Sequence, residues 1–153
     1  MIKRARNLLC PIEFDDSFSS CLELAKMLVD HNQGKLYLMH VVAPTSDLLV
    51  SGGLRTDHDL ATSEIKLRQI AQEKLAGIPH AEVLRVGDPA EEILKAEREF
   101  GIDLVVMPTH RHGEVSRLLL ESVTRRVVSE SICPVTTLSE KAWNSVRRTS
   151  PAA

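Results

Sequence analysis

Short apolar runs with no polar alternation recur along this chain, each followed by a longer stretch in which apolar residues return every three or four positions. A strand reading Leu8-Leu9-Cys10-Pro11-Ile12 has no polar side to offer water, so both of its faces must be covered. Strands of that kind belong to parallel sheets, and parallel neighbours need a long crossover between them, usually a helix. The chain obliges at every step.

Behind the first strand, Asp15-Asp16-Ser17 offers N-cap choices, and Phe18, Leu22, Ala25 and Val29 recur at helical spacing until Gly34 stops the helix. Lys35 to Val42 predicts a second strand, ended by Ala43-Pro44. Thr45 to His58 has no clear period and reads as a long loop. Leu60, Leu67, Ala71 and Leu75 set out a second helix that closes near Gly77-Ile78-Pro79, and Val83 to Val86 predicts a third strand. Asp88-Pro89-Ala90-Glu91 has the form of a capping box with proline at the first helical position; Ile93, Ala96 and Phe100 face the core, and Gly101 ends that helix. Leu104 to Met107 is a fourth strand, Val123, Val127 and Ile132 mark a fourth helix, and Pro134 to Leu138 is a short last strand suited to a sheet edge or a subunit contact. The expected architecture is α/β: one doubly wound domain, a five-stranded, mainly parallel sheet with helices on both faces, over residues 1–138. Residues 139–153 read as a polar C-terminal tail.

Composition narrows the function classes. The 153 residues suit one domain, and only five are aromatic (Phe14, Phe18, Tyr37, Phe100 and Trp143), so Leu, Val, Ile and Ala must build the core. A net charge of −2 gives no basic field for nucleic acid, and so few aromatics make no base-stacking platform. No apolar run approaches the ~18–20 residues of a membrane span, and no signal peptide is visible, so a cytoplasmic location is expected. The three cysteines, Cys10, Cys21 and Cys133, contain no Cys-x-x-Cys pair and read as reduced core thiols.

In doubly wound sheets ligands bind beyond the carboxyl ends of the strands, where strand order reverses. The candidate segments are Pro11 to Asp16, Val42 onward, Gly87-Asp88, and Pro108 to Ser122. The stretch Met107-Pro108-Thr109-His110-Arg111-His112-Gly113 through Leu120-Glu121-Ser122-Val123, with Cys133-Pro134-Val135 beyond it, resembles the universal stress protein family. Leu9-Cys10-Pro11-Ile12-Glu13, Leu38-Met39-His40-Val41-Val42 and Val86-Gly87-Asp88-Pro89 agree, in order and at suitable spacing. The resemblance implies an adenine nucleotide alpha hydrolase-like fold with strand order 3-2-1-4-5 and a role in stress resistance. The unpaired backbone of the short last strand, Val135 to Leu138, needs a covering partner, so a homodimer joined through it is expected.

Members of that family that bind ATP carry Gly-x-x-Gly, nine residues, then Gly-Ser/Thr after the fourth strand. Here those glycines fall on Pro108, Arg111 and Glu121, and only Ser122 survives. Pro108 has no N–H to offer a phosphate, Arg111 carries a Cβ where a left-handed turn would disfavour one, and Glu121 places a carboxylate where an anion would dock. Glu121 reads as sitting at a helix N-terminus, with Ser122 as its N-cap. Glu13 stands where ATP-binding members usually have aspartate facing the adenine. The family nucleotide site maps onto Pro11, Ile12, Glu13, Val41, Met107, Arg111, Ser122 and Val123, positions not expected to serve ATP. The expectation is a non-enzymatic module with no catalytic residue, no metal and no cofactor; the alternative is a nucleotide binder with weak hydrolysis of magnesium ATP.

Other constellations are thinner. His110 and His112 supply at most two metal ligands, with His40 and His58 able to join them only by folding. Arg111, His112 and Arg117 could retain an anion by side-chain charge. Trp143 and Val146 could dock the tail on a neighbour, and no protein partner is named by the sequence.

Overall fold

The computed structural model describes residues 4–15, 18–44, 54–109 and 114–149, with 54–58 and 114–121 described by their backbone alone. Five strands and five helices are present among them: β1 (Asn7–Pro11), α1 (Phe18–Asn32), β2 (Lys35–Val42), α2 (Leu54–Lys74), β3 (His80–Val86), α3 (Pro89–Glu99), β4 (Leu104–Pro108), α4 (Glu114–Glu130), β5 (Val135–Leu138) and α5 (Glu140–Thr149). The sheet runs β3-β2-β1-β4-β5, and all four pairings are parallel. The expected doubly wound order is present.

Strand residues alternate between two cores. Leu8 and Cys10 join Leu36, Leu38 and Val106 beneath α1 and α2. Leu9 joins Met39, Val41, Val105 and Met107 beneath α3 and α4. Both clusters are dry, which is why the strands read as continuous apolar runs. The register positions the site. β1 stays beside β2 from Asn7 to Pro11, yet pairs with β4 only at Leu8↔Leu104 and Leu9↔Val105. Past those pairs β1 and β4 part, and the crevice at the order reversal opens between them.

Several boundaries differ from expectation. α1 ends at Asn32, and the left-handed residue is Gln33 (φ 52°) rather than Gly34. Gly34 is needed for another reason: a Cβ there would sit 2.0 Å from the Arg6 carbonyl oxygen. Of the cap residues suggested for α1, Asp16 and Ser17 lie outside the described residues. α2 already includes Leu54 to His58, which read as loop; residues 45–53 of that loop lie outside the described residues. The segment Leu54 to Lys74 has no glycine or proline, but Arg55 to Asp59 is a polar run in the sequence, so no apolar period marked its start. Asp88 caps α3 by accepting the Glu91 N–H at 2.9 Å, while the Glu91 carboxylate pairs with Lys95 at 3.1 Å.

α4 begins at Glu114 and stops at Glu130. Ile132, read as a core position, lies beyond it and is 71% exposed. The reason is Glu97, a buried carboxylate whose Oε1 accepts the Ser131 hydroxyl (2.8 Å), the Ile132 N–H (2.7 Å) and the Cys133 N–H (2.8 Å). Those bonds pull the backbone out of helical geometry and aim it into β5. Within the segment read as a polar tail, Glu140–Thr149 forms α5. Trp143 is buried, and its indole N–H donates to Glu23 of α1 at 2.9 Å. It thus docks on its own chain, while Val146 is exposed.

Candidate functional site

At the carboxyl ends of the strands, a cavity of about 510 Å³ opens between β1, β2 and β4 and the helices α2, α3 and α4. That volume lies in the range of small-ligand sites. Pro11, Ile12, Glu13, Val41, Met107, Ser122 and Val123 all line it. Seven of the eight mapped positions therefore meet in one place, and the eighth, Arg111, lies outside the described residues. His110, His112 and the side chains of His58, Arg117 and Glu121 lie outside them too. Among the described residues no three His, Cys, Asp or Glu side chains are grouped to hold a metal.

The floor is apolar: Ile12, Met39, Ile93 and Met107 are nearly inaccessible at the strand ends. His40 forms part of the wall, buried, with Nδ1 2.8 Å from the Ile12 carbonyl oxygen. A carbonyl only accepts, so Nδ1 carries the hydrogen and Nε2 of the neutral ring is bare. The ring packs on Phe14 with centroids 4.1 Å apart, and Glu13 Oε2 lies 3.9 Å from Nδ1. Burial holds the His40 proton affinity below its ordinary value; the Ile12 carbonyl opposes that shift and the Lys66 charge reinforces it.

The opposite wall is α2. Asp59, Thr62, Ser63 and Lys66 face the cavity at the i, i+3, i+4, i+7 spacing of one helical face. Sequence reasoning missed all four. The signal was present, since this polar stripe adjoins the apolar one through Leu67, Ala71 and Leu75. Asp88 closes the third side, pairing with Arg126 of α4 at 2.9 Å while it caps α3.

The phosphate end differs most from expectation. Ser122 is not an N-cap, and residue 121 is not at a helix start, because α4 begins at Glu114. Val115 to Glu121 contains no glycine or proline to interrupt a helix, so the backbone coils straight through the place where the glycine pattern would break it. In such a helix every N–H from Leu118 onward bonds to the carbonyl four residues earlier.

The model of the universal stress protein family matches residues 4–139. The chain belongs to that family. A universal stress protein of Methanocaldococcus jannaschii is 26% identical over 155 residues, a match covering 89% of this chain and 96% of that relative. The solved structure of a Lactobacillus plantarum universal stress protein superposes with a TM-score of 0.74 at 22% identity, covering 90% of this chain and 99% of that one. A universal stress protein solved in complex with cAMP gives 0.69 at 18% identity, covering 90% and 98%. At these identities the structures share the fold.

The cysteines of this universal stress protein are all free. Cys10 and Cys21 are buried in the α1 side of the core, where burial raises both thiols, Cys21 to about 12. Burial likewise lifts Cys133 to about 11. None is a thiolate at neutral pH.

His40 makes stability depend on pH. Above 6.5 the ring is neutral whether the chain is folded or not. Below that, the unfolded chain takes the proton first, because the folded value is lower. His40 therefore subtracts stability as pH falls from 6.5 toward its folded value, and no further beneath it. Urea unfolding between pH 7.5 and 5 should show His40→Gln losing less stability than the wild type over that interval; equal losses would remove His40 as a source.

Proposed function

We propose that this universal stress protein is a non-enzymatic stress-response module that takes up no ATP and acts in the cytoplasm as a homodimer. Helix α4 carries the reading. A triphosphate needs unpaired N–H groups converging on it, and the helical course of α4 commits those around residues 121 and 122 to its own carbonyls. Pro108, at the mouth of the same cavity, has no N–H to add. Among the described residues the lining carries three carboxylates, Glu13, Asp59 and Asp88, against one ammonium, Lys66, a poor balance for a polyanion. The free, unreactive cysteines are in keeping with a reducing compartment.

The homodimer is supported by the sheet edge. The carbonyls of Pro134 and Leu138 accept from Val105 of β4 and from Thr109 just past it, at 3.0 and 3.1 Å. Residues alternate along a strand, so Val135 and Thr137 turn their N–H and C=O groups away from β4. A second copy of β5 supplies the missing partners.

The alternative reading, an adenine-nucleotide binder with weak hydrolysis of magnesium ATP, is favoured by the cAMP bound to a protein of the same fold. Thermal unfolding separates the two. ATP at ~100 times its dissociation constant would add ~2.7 kcal/mol, a rise of several degrees in a domain of this size. Millimolar ATP with magnesium should leave the transition unmoved; a shift of several degrees would establish the alternative. Light scattering at micromolar concentration should report a dimer that Thr137→Pro converts to a folded monomer. A monomeric wild type would remove the β5 interface.

A further inference from the structure

We propose that the strand-end cavity binds a small organic monoanion, its negative group docked on Lys66 and its apolar body laid on the strand-end floor. The inference rests on the reading that this cavity takes no ATP, and names what the same cavity takes instead.

Lys66 is set apart from the other cations around it. Lys95 pairs with Glu91 and Glu92, Arg85 with Glu99, Arg68 with Glu64, and Arg126 with Asp88 and Glu130. Among the described residues none gives Lys66 a carboxylate. Its ammonium instead stands 5.5 Å from the centre of the Phe14 ring, whose π-face holds the cation without saturating its three N–H donors. The residue lines the cavity, and so do Thr62 and Ser63, one turn back on the same helix face. A docked anion would meet an ammonium and two hydroxyl donors from α2.

The rest of the lining sets the ligand's charge and shape. Ile12, Met39, Ile93 and Met107 are buried and apolar, so the body that covers them is apolar. His40 is neutral near pH 7 and adds no second positive charge. Glu13 and Asp59 face the same space, and Asp88 is matched by Arg126. Among the described lining residues Lys66 is the one cation, so one negative group meets it, and a second or third charge on the ligand would lie toward Glu13 and Asp59. This excludes di- and triphosphates while admitting a carboxylate or a singly charged ester.

Three matched probes test it by calorimetric titration at pH 7: 4-phenylbutyrate, 4-phenylbutanol and 4-phenylbutylamine. The wild type should bind the carboxylate about tenfold more tightly than the alcohol, with the amine weakest. Lys66→Arg should keep that order. Lys66→Met should weaken the carboxylate about tenfold and leave the alcohol unchanged, a result that loss of fold would not give. The inference is overturned if 4-phenylbutyrate fails to bind, if the three probes bind alike, or if Lys66→Met keeps the preference. ATP titrated alongside addresses the parent reading by itself. Its binding would contradict that reading, whereas its absence together with an indifferent Lys66→Met would overturn only the present inference.

Discussion

The short seam between β1 and β4 governs the rest of the molecule. Because β1 lies between β2 and β4, the crossovers on its two sides depart to opposite faces, and helices cover the sheet above and below. Because β1 and β4 pair only at Leu8↔Leu104 and Leu9↔Val105, their carboxyl ends are not joined to each other, and Ile12, Glu13 and Pro108 line the crevice between them. The neutral His40 and the α2 lysine, Lys66, both line that opening. The seam itself is dry and apolar, so the scaffold can stay fixed while the residues at its rim change.

What distinguishes this member is how the far side of the crevice is built. A loop with glycines would present bare N–H groups to an anion. An uninterrupted helix turns those same groups inward to its own carbonyls, and α4 is helical from Glu114. Among the described residues, the charge on the lining is carried by three acidic side chains and one basic one. Side-chain charge selects by sign and number, where a backbone cradle selects by phosphate shape. The family fold is kept, and the backbone past β4 runs as helix from Glu114.

Much of this was legible in the amino-acid order, and the exceptions have physical causes. Strands buried on both faces announce themselves as apolar runs, so β1, β2 and β4 were plain; β3, at the sheet edge, showed only its last residues. Strand order came from the resemblance, since periodicity says nothing about which strand neighbours which. The start of α2 was hidden because Arg55, Thr56, Asp57, His58 and Asp59 show no apolar period in the sequence. The start of α4 was misplaced because Ser122 looked like a cap, a judgement that gave one hydroxyl more weight than the unbroken helix formers before it. Lys66 was passed over because an exposed lysine on a helix is ordinarily a solvated one, and only the fold brings Phe14 beneath it. Ile132 misled in the opposite sense: an isoleucine at helical spacing reads as core, and it took the buried Glu97 to turn it outward.

The central claim is that the amides at the phosphate end of the crevice are spoken for. Residue-resolved amide hydrogen exchange over Leu118 to Ser122 measures this directly. Slow exchange in the protein alone, unchanged by millimolar magnesium ATP, is the result expected of a helix that begins at Glu114. Fast exchange that becomes slow only when ATP is added would contradict it, since those N–H groups would then be unpaired until a phosphate arrives.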